Sequence, residues 1–566
     1  MKKFHLTKRY TIINFDAINF SSQAQILSSK EFALVLKNFL KSLEAKKSLI
    51  LNDFNGVSIT DLIDFFKTLL VYDLNDALNQ NNSITTNHVK PLYLLTEALY
   101  DYWREIERFG ILKGSKNYDP NLKIPDLVSN NEKFNETIIT LYRTISQKLL
   151  QANFHVYRQL PARTNANLLY IRHRFTTNKE YENIQNIPFV TKVLTNPPFI
   201  INSKSNTRSG LFTEITYNPL KQIKINKSHY FAFPVMVGPL LAFVYTHRDF
   251  LHQAIALSNL FEFADYNSFK TRKPDLIYLY GIKENEFDLK YYFDHLNKTV
   301  LGFVSRLDKN DYFGYLKKML LTLHNVYMIN EGKLPIHGAM VEITLNDNTQ
   351  KNIVIIGDSG AGKSETLEAL RVVGKKQIRA MRVVFDDMGI MKFENNQVVA
   401  NGTEIGAFIR LDDLDTGYAY QIMDRALFLN PNQINARVVI PITSHEFISK
   451  NHPVDMVFYA NNYSKNKNGI KLFSNLAEAL EVFKKGVRKA KGTTSEVGLV
   501  SSYFANPFGP VQEKEKTEEL LIKYFKTLQE NNVLLGEIYT KLAVDGYQTK
   551  GPQETAKQIL TYLEEK

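Results

Sequence analysis

The chain has 566 residues, 44% of them hydrophobic and 23% charged, which is globular composition at a length that suits more than one domain. Its formal charge is +12, but the lysines and arginines are dispersed without a long basic run, so the surplus reads as a solvated surface plus an anion-binding cleft and disfavours nucleic acid as the partner. The lack of cysteine excludes disulfides and cysteine-ligated zinc, and no stretch of about 18 apolar residues offers a membrane span. The opening MKKFHLTKRYTIINF has no apolar signal segment, so a cytoplasmic protein is expected.

Residues 1–190 are predicted to be a mainly helical accessory region. Glu31–Leu43 and Asp61–Leu74 place apolar residues three and four apart, and the joint Asn79-Gln80-Asn81-Asn82 interrupts that pattern. No chemical constellation stands out here, which makes the region a candidate surface for a protein partner. From about 191 the texture changes. Asn196-Pro197-Pro198 marks a break, and the runs Tyr230–Val237, Leu240–Tyr245 and Leu276–Tyr280 read as strands of a second domain ending near 310. From 311 to 566, short strand-like runs (Met340–Leu345, Ile353–Ile356, Arg382–Phe385, Val438–Ile442) alternate with helical stretches, and helices are expected from Thr517 onward. That alternation predicts an α/β domain around a central sheet, so the fold expectation is α/β with an α+β N-terminal part.

The most informative segment is 353–366, IVIIGDSGAGKSET. A β-branched run ends at Gly357, the chain turns through Asp358, Ser359, Gly360, Ala361, Gly362 and Lys363, and a helical pattern begins at Ser364 and Glu365. This is G-x-x-x-x-G-K-S in the strand–loop–helix setting that a phosphate-binding loop requires. The glycines let backbone N–H groups surround phosphate oxygens, and the helix N-terminus adds a positive dipole end. Lys363 adds a cation, and the Ser364 hydroxyl suits a magnesium ion. A nucleoside triphosphate is the expected ligand.

Other residues could complete such a site. Asp386-Asp387 follow an apolar run and read as carboxylates at the end of a buried strand, suited to one metal ligand plus one general base; a helix cap or turn is the plainer reading. Leu334-Pro335-Ile336-His337-Gly338 enters another strand, although a lone histidine is more often structural. Tyr312 opens a helical run that carries Lys317-Lys318, by itself an ordinary solvated pair. Asn435-Ala436-Arg437 precedes Val438–Ile440, and its arginine could grip a phosphate or sit on the surface. The short cluster Lys484-Lys485 with Arg488-Lys489 reads as surface charge.

Taken in order, these segments resemble the ATP-dependent phosphoenolpyruvate carboxykinases. The order runs from aromatic-x-Gly-x-x-Lys-Lys (Tyr312–Lys318), through Pro-x-His (Pro335–His337) and the loop, to Asp386-Asp387 and Asn-x-Arg-Val-x-x-Pro (Asn435–Pro441). Lys273–Ile277 is also similar to a strand of the family's N-terminal domain. The resemblance covers roughly 270–510 and implies a two-lobed phosphate-loop fold carrying an extra, mainly helical N-terminal region. It implies conversion of oxaloacetate and ATP to phosphoenolpyruvate, ADP and carbon dioxide with Mn2+ and Mg2+, a gluconeogenic reaction on a small dicarboxylate. In the family pattern Lys318, His337 and Asp387 would hold manganese. Ser364 would hold the nucleotide's magnesium, Lys363 and Arg437 the transferring phosphoryl group, and Lys317 and Tyr312 would face the substrate.

The departures point elsewhere. The loop spelling, with Asp358 and Glu365, resembles the HPr kinase/phosphorylases, whose pattern also has an upstream His-Gly and a downstream Asp-Asp. In that reading Asp386 or Asp387 is a general base for a hydroxyl acceptor. The family's substrate arginine has its nearest match at Arg208, within Asn206–Gly210. Gly492–Gly498 stands where the family has Ala-Gly-Thr-Glu-Arg-Gly, with Val497 in place of arginine, and Tyr503–Gly509 follows like the family's Phe-Gly-x-x-Phe region. A third reading is a non-enzymatic nucleotide-binding or assembly protein.

Overall fold

A computed structural model describes the chain except residues 1–2, 18–21, 115–122, 152–161, 176–178, 198, 412–424, 467, 491–496 and 565–566. The fold is mixed α/β with large multi-stranded sheets. It divides into two compact units, Met1–Arg172 with Val190–Phe199 and His173–Phe189 with Ile200–Lys566. The expected boundary at 190/191 therefore falls inside a strand, Pro188–Thr195, and the expected boundary at 310/311 does not separate compact units.

The first unit has the expected helices, among them Lys30–Ala45, Ile59–Val71, Val89–Glu105 and Ile124–Leu150. Ser29 caps the first, and Ser58 with Asp61 forms a capping box on the second. Their apolar stripes meet in a core that includes Leu36, Phe39, Phe65, Phe66, Leu92 and Leu95. The region is mainly helical, as expected, but it also carries strands that the helical pattern did not show. Tyr10–Asn14, Glu107–Lys113 and Ala166–Arg172 pair in parallel, and Phe4–Leu6 adds an antiparallel edge. These runs are short and continuously buried, so they lack the alternation that marks a strand in sequence.

In the second unit, Tyr230–Val237, Leu240–His247, Leu276–Ile282 and Thr299–Ser305 lie side by side, the last three mutually parallel. An eight-stranded sheet follows the order His452–Pro453, Gln397–Gly402, Ile378–Glu394, Leu334–Leu345, Gln350–Ile356, Met456–Asn461, Leu534–Tyr539, Ile470–Leu472. Its central strands read as unbroken apolar runs because both faces are covered. Ile353 and Ile355 pack with Leu367, Leu370, Ile559 and Leu560 of two helices. Val354 and Ile356 pack with Phe483, Tyr524 and Phe525 of two others. Leu534–Tyr539 is a strand where only helices were expected, between Lys514–Glu530 and Lys550–Glu564.

Helix Phe313–Asn330 is apolar nearly all round and almost wholly buried. It packs against strands of both sheets, Thr299–Ser305 and Leu334–Leu345. This is why the chain before and after 311 forms one compact body, and it carries Lys317 and Lys318 into that body. A smaller sheet contains Gly406–Arg410, Arg437–Pro441 and Leu427–Leu429.

Candidate active site

The Gly357–Ser364 loop joins strand Gln350–Ile356 to helix Lys363–Val373, in the setting the sequence predicted. Gly360 and Gly362 take φ of 79° and 94°, the left-handed region that glycine enters without a β-carbon penalty. At Gly362 a β-carbon would also come within 2.6 Å of the Thr540 side chain. The loop is tied down from outside: Thr540 Oγ1 donates to Ala361 O at 2.7 Å, and Asn462 Nδ2 donates to Gly360 O at 2.9 Å. Lys363 folds back across the loop, its Nζ 2.7 Å from Gly357 O. Ser364 Oγ donates to Asp386 Oδ1 at 3.1 Å.

The loop opens on a cleft of about 1530 Å³ whose walls include Arg208, Tyr312, Lys317, Lys318, Glu365, Asp386, Asp387 and Arg437. The structure thus brings Arg208 and Arg437 to the same space as the glycine-rich loop, the lysine pair and the aspartate pair. Asp386 and Asp387 lie in the middle of strand Ile378–Glu394, not at a strand end as expected. The strand runs on because residues 378–391 pair with Leu334–Leu345, a register interrupted by bulges, and Gly389–Glu394 pair with Gln397–Gly402. That pairing sets His337 beside the aspartates, with Gly338 opposite Asp387 in the register. Asp387 has φ 134°, which is rare for a residue with a side chain and concentrates at functional positions.

Asp387 is the hub. Its Oδ2 lies 2.6 Å from both Lys317 Nζ and Lys318 Nζ, and its Oδ1 lies 2.9 Å from His337 Nε2. Lys317 also reaches Glu404 Oε1 at 3.0 Å. Burial favours the neutral carboxyl of Asp387, but the two lysines and His337 outweigh it and hold the carboxyl well below the usual range. The lysines then part company. Burial works against charge on both, yet Asp387 and Glu404 together hold Lys317 above the ordinary lysine range. Lys318 pairs with Asp387, has Glu404 acting on it only weakly and has the Lys317 charge against it, so burial wins and its proton is held less tightly. Burial also pushes His337 down, toward the neutral ring.

A lysine and an imidazole whose protons burial loosens, beside an ionised carboxylate, make a donor set that would suit a divalent transition metal. The expected ligands Lys318, His337 and Asp387 therefore meet, and their chemistry fits the ion. Among the described residues no group of three or more histidine, aspartate and glutamate side chains could hold a metal.

Aromatic rings line the cations. Phe508 carries Lys318 Nζ 4.6 Å and the Arg208 guanidinium 5.1 Å from its ring centre. Phe408 carries Arg437 at 5.3 Å and Lys317 at 5.9 Å. Tyr312 is buried at the helix N-cap with its ring 6.0 Å from that of Phe408. The buried Nε of Arg437 has no hydrogen-bond partner among the described residues.

Three features escaped sequence reasoning. Glu404 is buried at 2% exposure, and burial pushes its carboxyl up to about 7 against the pull of Lys317. A lone acid between apolar runs was its one signal. Arg488, expected on the surface, is buried, with Nε 3.0 Å from Asp358 Oδ2. Strand Val487–Lys489 turns it inward, because alternate residues of a strand face opposite ways. This ion pair, with His337 Nδ1 3.5 Å from Oδ1, offsets an acid inside the glycine-rich loop and holds Asp358 below the usual carboxylate range despite its burial. Phe408 carries no spacing signal, whereas Phe508 lies in the Tyr503–Gly509 segment that the sequence already singled out. Residues 492–496 of the Gly492–Gly498 segment lie outside the described residues. In sequence comparison the chain matches no protein-family model and no curated protein.

Proposed function

We propose that the protein is a carboxykinase-like enzyme of the two-lobed phosphate-loop type, transferring phosphoryl groups between ATP and oxaloacetate to give phosphoenolpyruvate, ADP and carbon dioxide. One observation carries the reading: Lys318, His337 and Asp387 converge beside the Gly357–Ser364 loop, with Arg208 and Arg437 on the walls of the same cleft.

In this reading the loop N–H groups and Lys363 cradle the triphosphate. Ser364 and Asp386 would hold magnesium, and Lys318, His337 and Asp387 would hold manganese. When bound, the two ions supply charge neutralisation at the reacting oxygens. Arg208 and Arg437 pair with the anionic groups of substrate and phosphoryl, and the rings of Phe508 and Phe408 fix both guanidiniums. Lys317 stays a cation, held by Asp387 and Glu404, and faces charge that develops in the substrate. Oxaloacetate loses its C4 carboxyl as carbon dioxide. The electron pair of that bond forms the enolate of pyruvate, and the enolate oxygen takes the terminal phosphoryl group while ADP leaves.

A hydroxyl-phosphorylating kinase is the second reading. Burial raises the Asp386 carboxyl, which would suit a general base beside the nucleotide, and the loop spelling agrees with it. The test is direct. Purified protein with Mn2+, ATP and oxaloacetate should release phosphoenolpyruvate, Lys363→Met should abolish turnover, and Lys318→Met should abolish the decarboxylating reaction. Tight ATP binding without any phosphoenolpyruvate, or a Lys318→Met variant that still makes it, would refute the carboxykinase reading.

A further inference from the structure

The Tyr503–Gly509 segment has no charged side chain, but its backbone is unusual. Phe504 and Ala505 take φ of 53° and 50° in succession. Neither is glycine, and both are fully buried. Left-handed backbone costs a residue with a β-carbon roughly 1–2 kcal/mol. Two such residues in a row call for a compensating role, and strain of this kind gathers at functional sites.

The turn is held in shape from several sides. Ala505 N donates to Ser502 O at 2.8 Å, and Asn506 N donates to Tyr503 O at 3.1 Å. The Asn506 side chain accepts from Phe508 N at 3.1 Å. Gly486 backs the turn so closely that a β-carbon there would fall 2.0 Å from Ser502 O and 2.4 Å from Ala505 N. The product of all this is the position of one carbonyl, Ala505 O, 2.7 Å from His337 Nδ1.

A carbonyl oxygen can only accept, so the hydrogen of that contact belongs to Nδ1. Nε2 is then the nitrogen that faces Asp387, 2.9 Å from its Oδ1. Without a metal a proton can bridge that nitrogen and the carboxylate, and a divalent cation would take the proton's place. Asp358 Oδ1, 3.5 Å from Nδ1, adds a second acceptor on the same side of the ring.

We propose that the left-handed Phe504–Ala505 turn is a tautomer lock. It holds a hydrogen on Nδ1 and so leaves Nε2, beside Asp387, as the nitrogen that a divalent cation would take. Ala505 is thus a positioning residue that acts through His337. Metal-binding histidines generally need their second nitrogen fixed in this way, and loss of such a partner weakens metal binding about 10–100-fold. The inference rests on the reading of Lys318, His337 and Asp387 as metal ligands, but its test separates the two.

The full chain, labelled with 15N in histidine and freed of metal, is placed in slightly alkaline buffer. Long-range proton–nitrogen correlation then reports the ring state of His337, assigned by loss of its signal in His337→Gln. A hydrogen on Nδ1 is expected. A ring whose single hydrogen is on Nε2 would overturn the lock. Manganese binding, read by electron paramagnetic resonance, gives a second arm. Ala505→Val disfavours the left-handed turn and should weaken binding 10–100-fold. Ala505→Gly keeps both the turn and the carbonyl, so it should bind as wild type does. Equal affinity in all three, or equal loss in both variants, would overturn the proposal. Failure of the wild-type chain to bind manganese would instead count against the metal reading, with the ring spectrum still deciding the lock.

Discussion

Glu404→Gln should make the protein more stable and its site worse. Glu404 is buried beside Lys317, and apart from that ion pair neither carboxylate oxygen has a hydrogen-bond partner among the described residues. Its carboxyl is pushed from the ordinary glutamate value of 4.5 up to about 7, chiefly by burial. A raised carboxyl binds its proton more tightly in the folded chain than in the unfolded one. Its cost to stability is therefore absent below about pH 4.5 and fully present above about pH 7. At about 1.4 kcal/mol per tenfold displacement of the proton equilibrium, that cost is on the order of 3 kcal/mol. Glutamine resembles the protonated acid and should recover most of it.

The opposing effect is the loss of a partner for a buried cation, which can cost about 3–5 kcal/mol when it leaves the charge alone. Here it does not, because Lys317 keeps Asp387 at 2.6 Å and the glutamine carbonyl can still accept. Urea unfolding of both proteins, followed by fluorescence and circular dichroism, would be run at several values between about pH 5 and pH 8. The variant should gain on the order of 3 kcal/mol at the upper end and almost nothing at the lower end. A variant that is less stable near pH 8, or whose difference from wild type is flat across the range, would refute the argument. In the same variant the competition for Lys317 is gone and the lysine draws harder on Asp387, so manganese binding should weaken, the usual exchange of stability against a strained site.

Two further outcomes follow from the same geometry. Asp387→Asn leaves Lys318 without its carboxylate. Because the Asp387 carboxyl is held well below its usual range, its contribution is present above about pH 4 and disappears as pH falls through the folded value. The variant should lose about 3–5 kcal/mol near neutrality, with the difference shrinking in acid by the same unfolding assay; a pH-independent loss would contradict the hub role. Gly362→Ala places a β-carbon at φ 94° and within 2.6 Å of Thr540, so the loop must deform. Calorimetric titration with magnesium-ATP should show binding reduced by at least about tenfold, and unchanged binding would mean that the loop does not hold the phosphates.

Much of the second unit could be read from residues alone. The strand–loop–helix at Ile353–Glu365 is specified locally, since glycines, lysine and serine at fixed spacing dictate both the turn and its chemistry. Runs such as Tyr230–Val237 and Leu240–His247 were legible because buried strands are continuous apolar segments bounded by turns. The same property hid Tyr10–Asn14 and Ala166–Arg172, which sit among strong helical patterns. Position in a strand was harder still. Asp386-Asp387 looked like a strand end because two acids rarely continue a sheet, and only pairing with Leu334–Leu345 carries the strand past them.

The sequence by itself determined the glycine-rich loop, the order of Lys317-Lys318, His337, Asp386-Asp387 and Arg437 along the chain, and the residue types available for the chemistry. Tertiary structure decided which of them meet and in what charge state. Lys317 and Lys318 are neighbours of the same type, yet one stands between two carboxylates and the other has one. Glu404, Arg488 and the Ala505 carbonyl enter the site from remote segments, through sheet register, an inward-facing strand and a left-handed turn. Proton affinity depends on distance and burial, and neither is a property of local sequence.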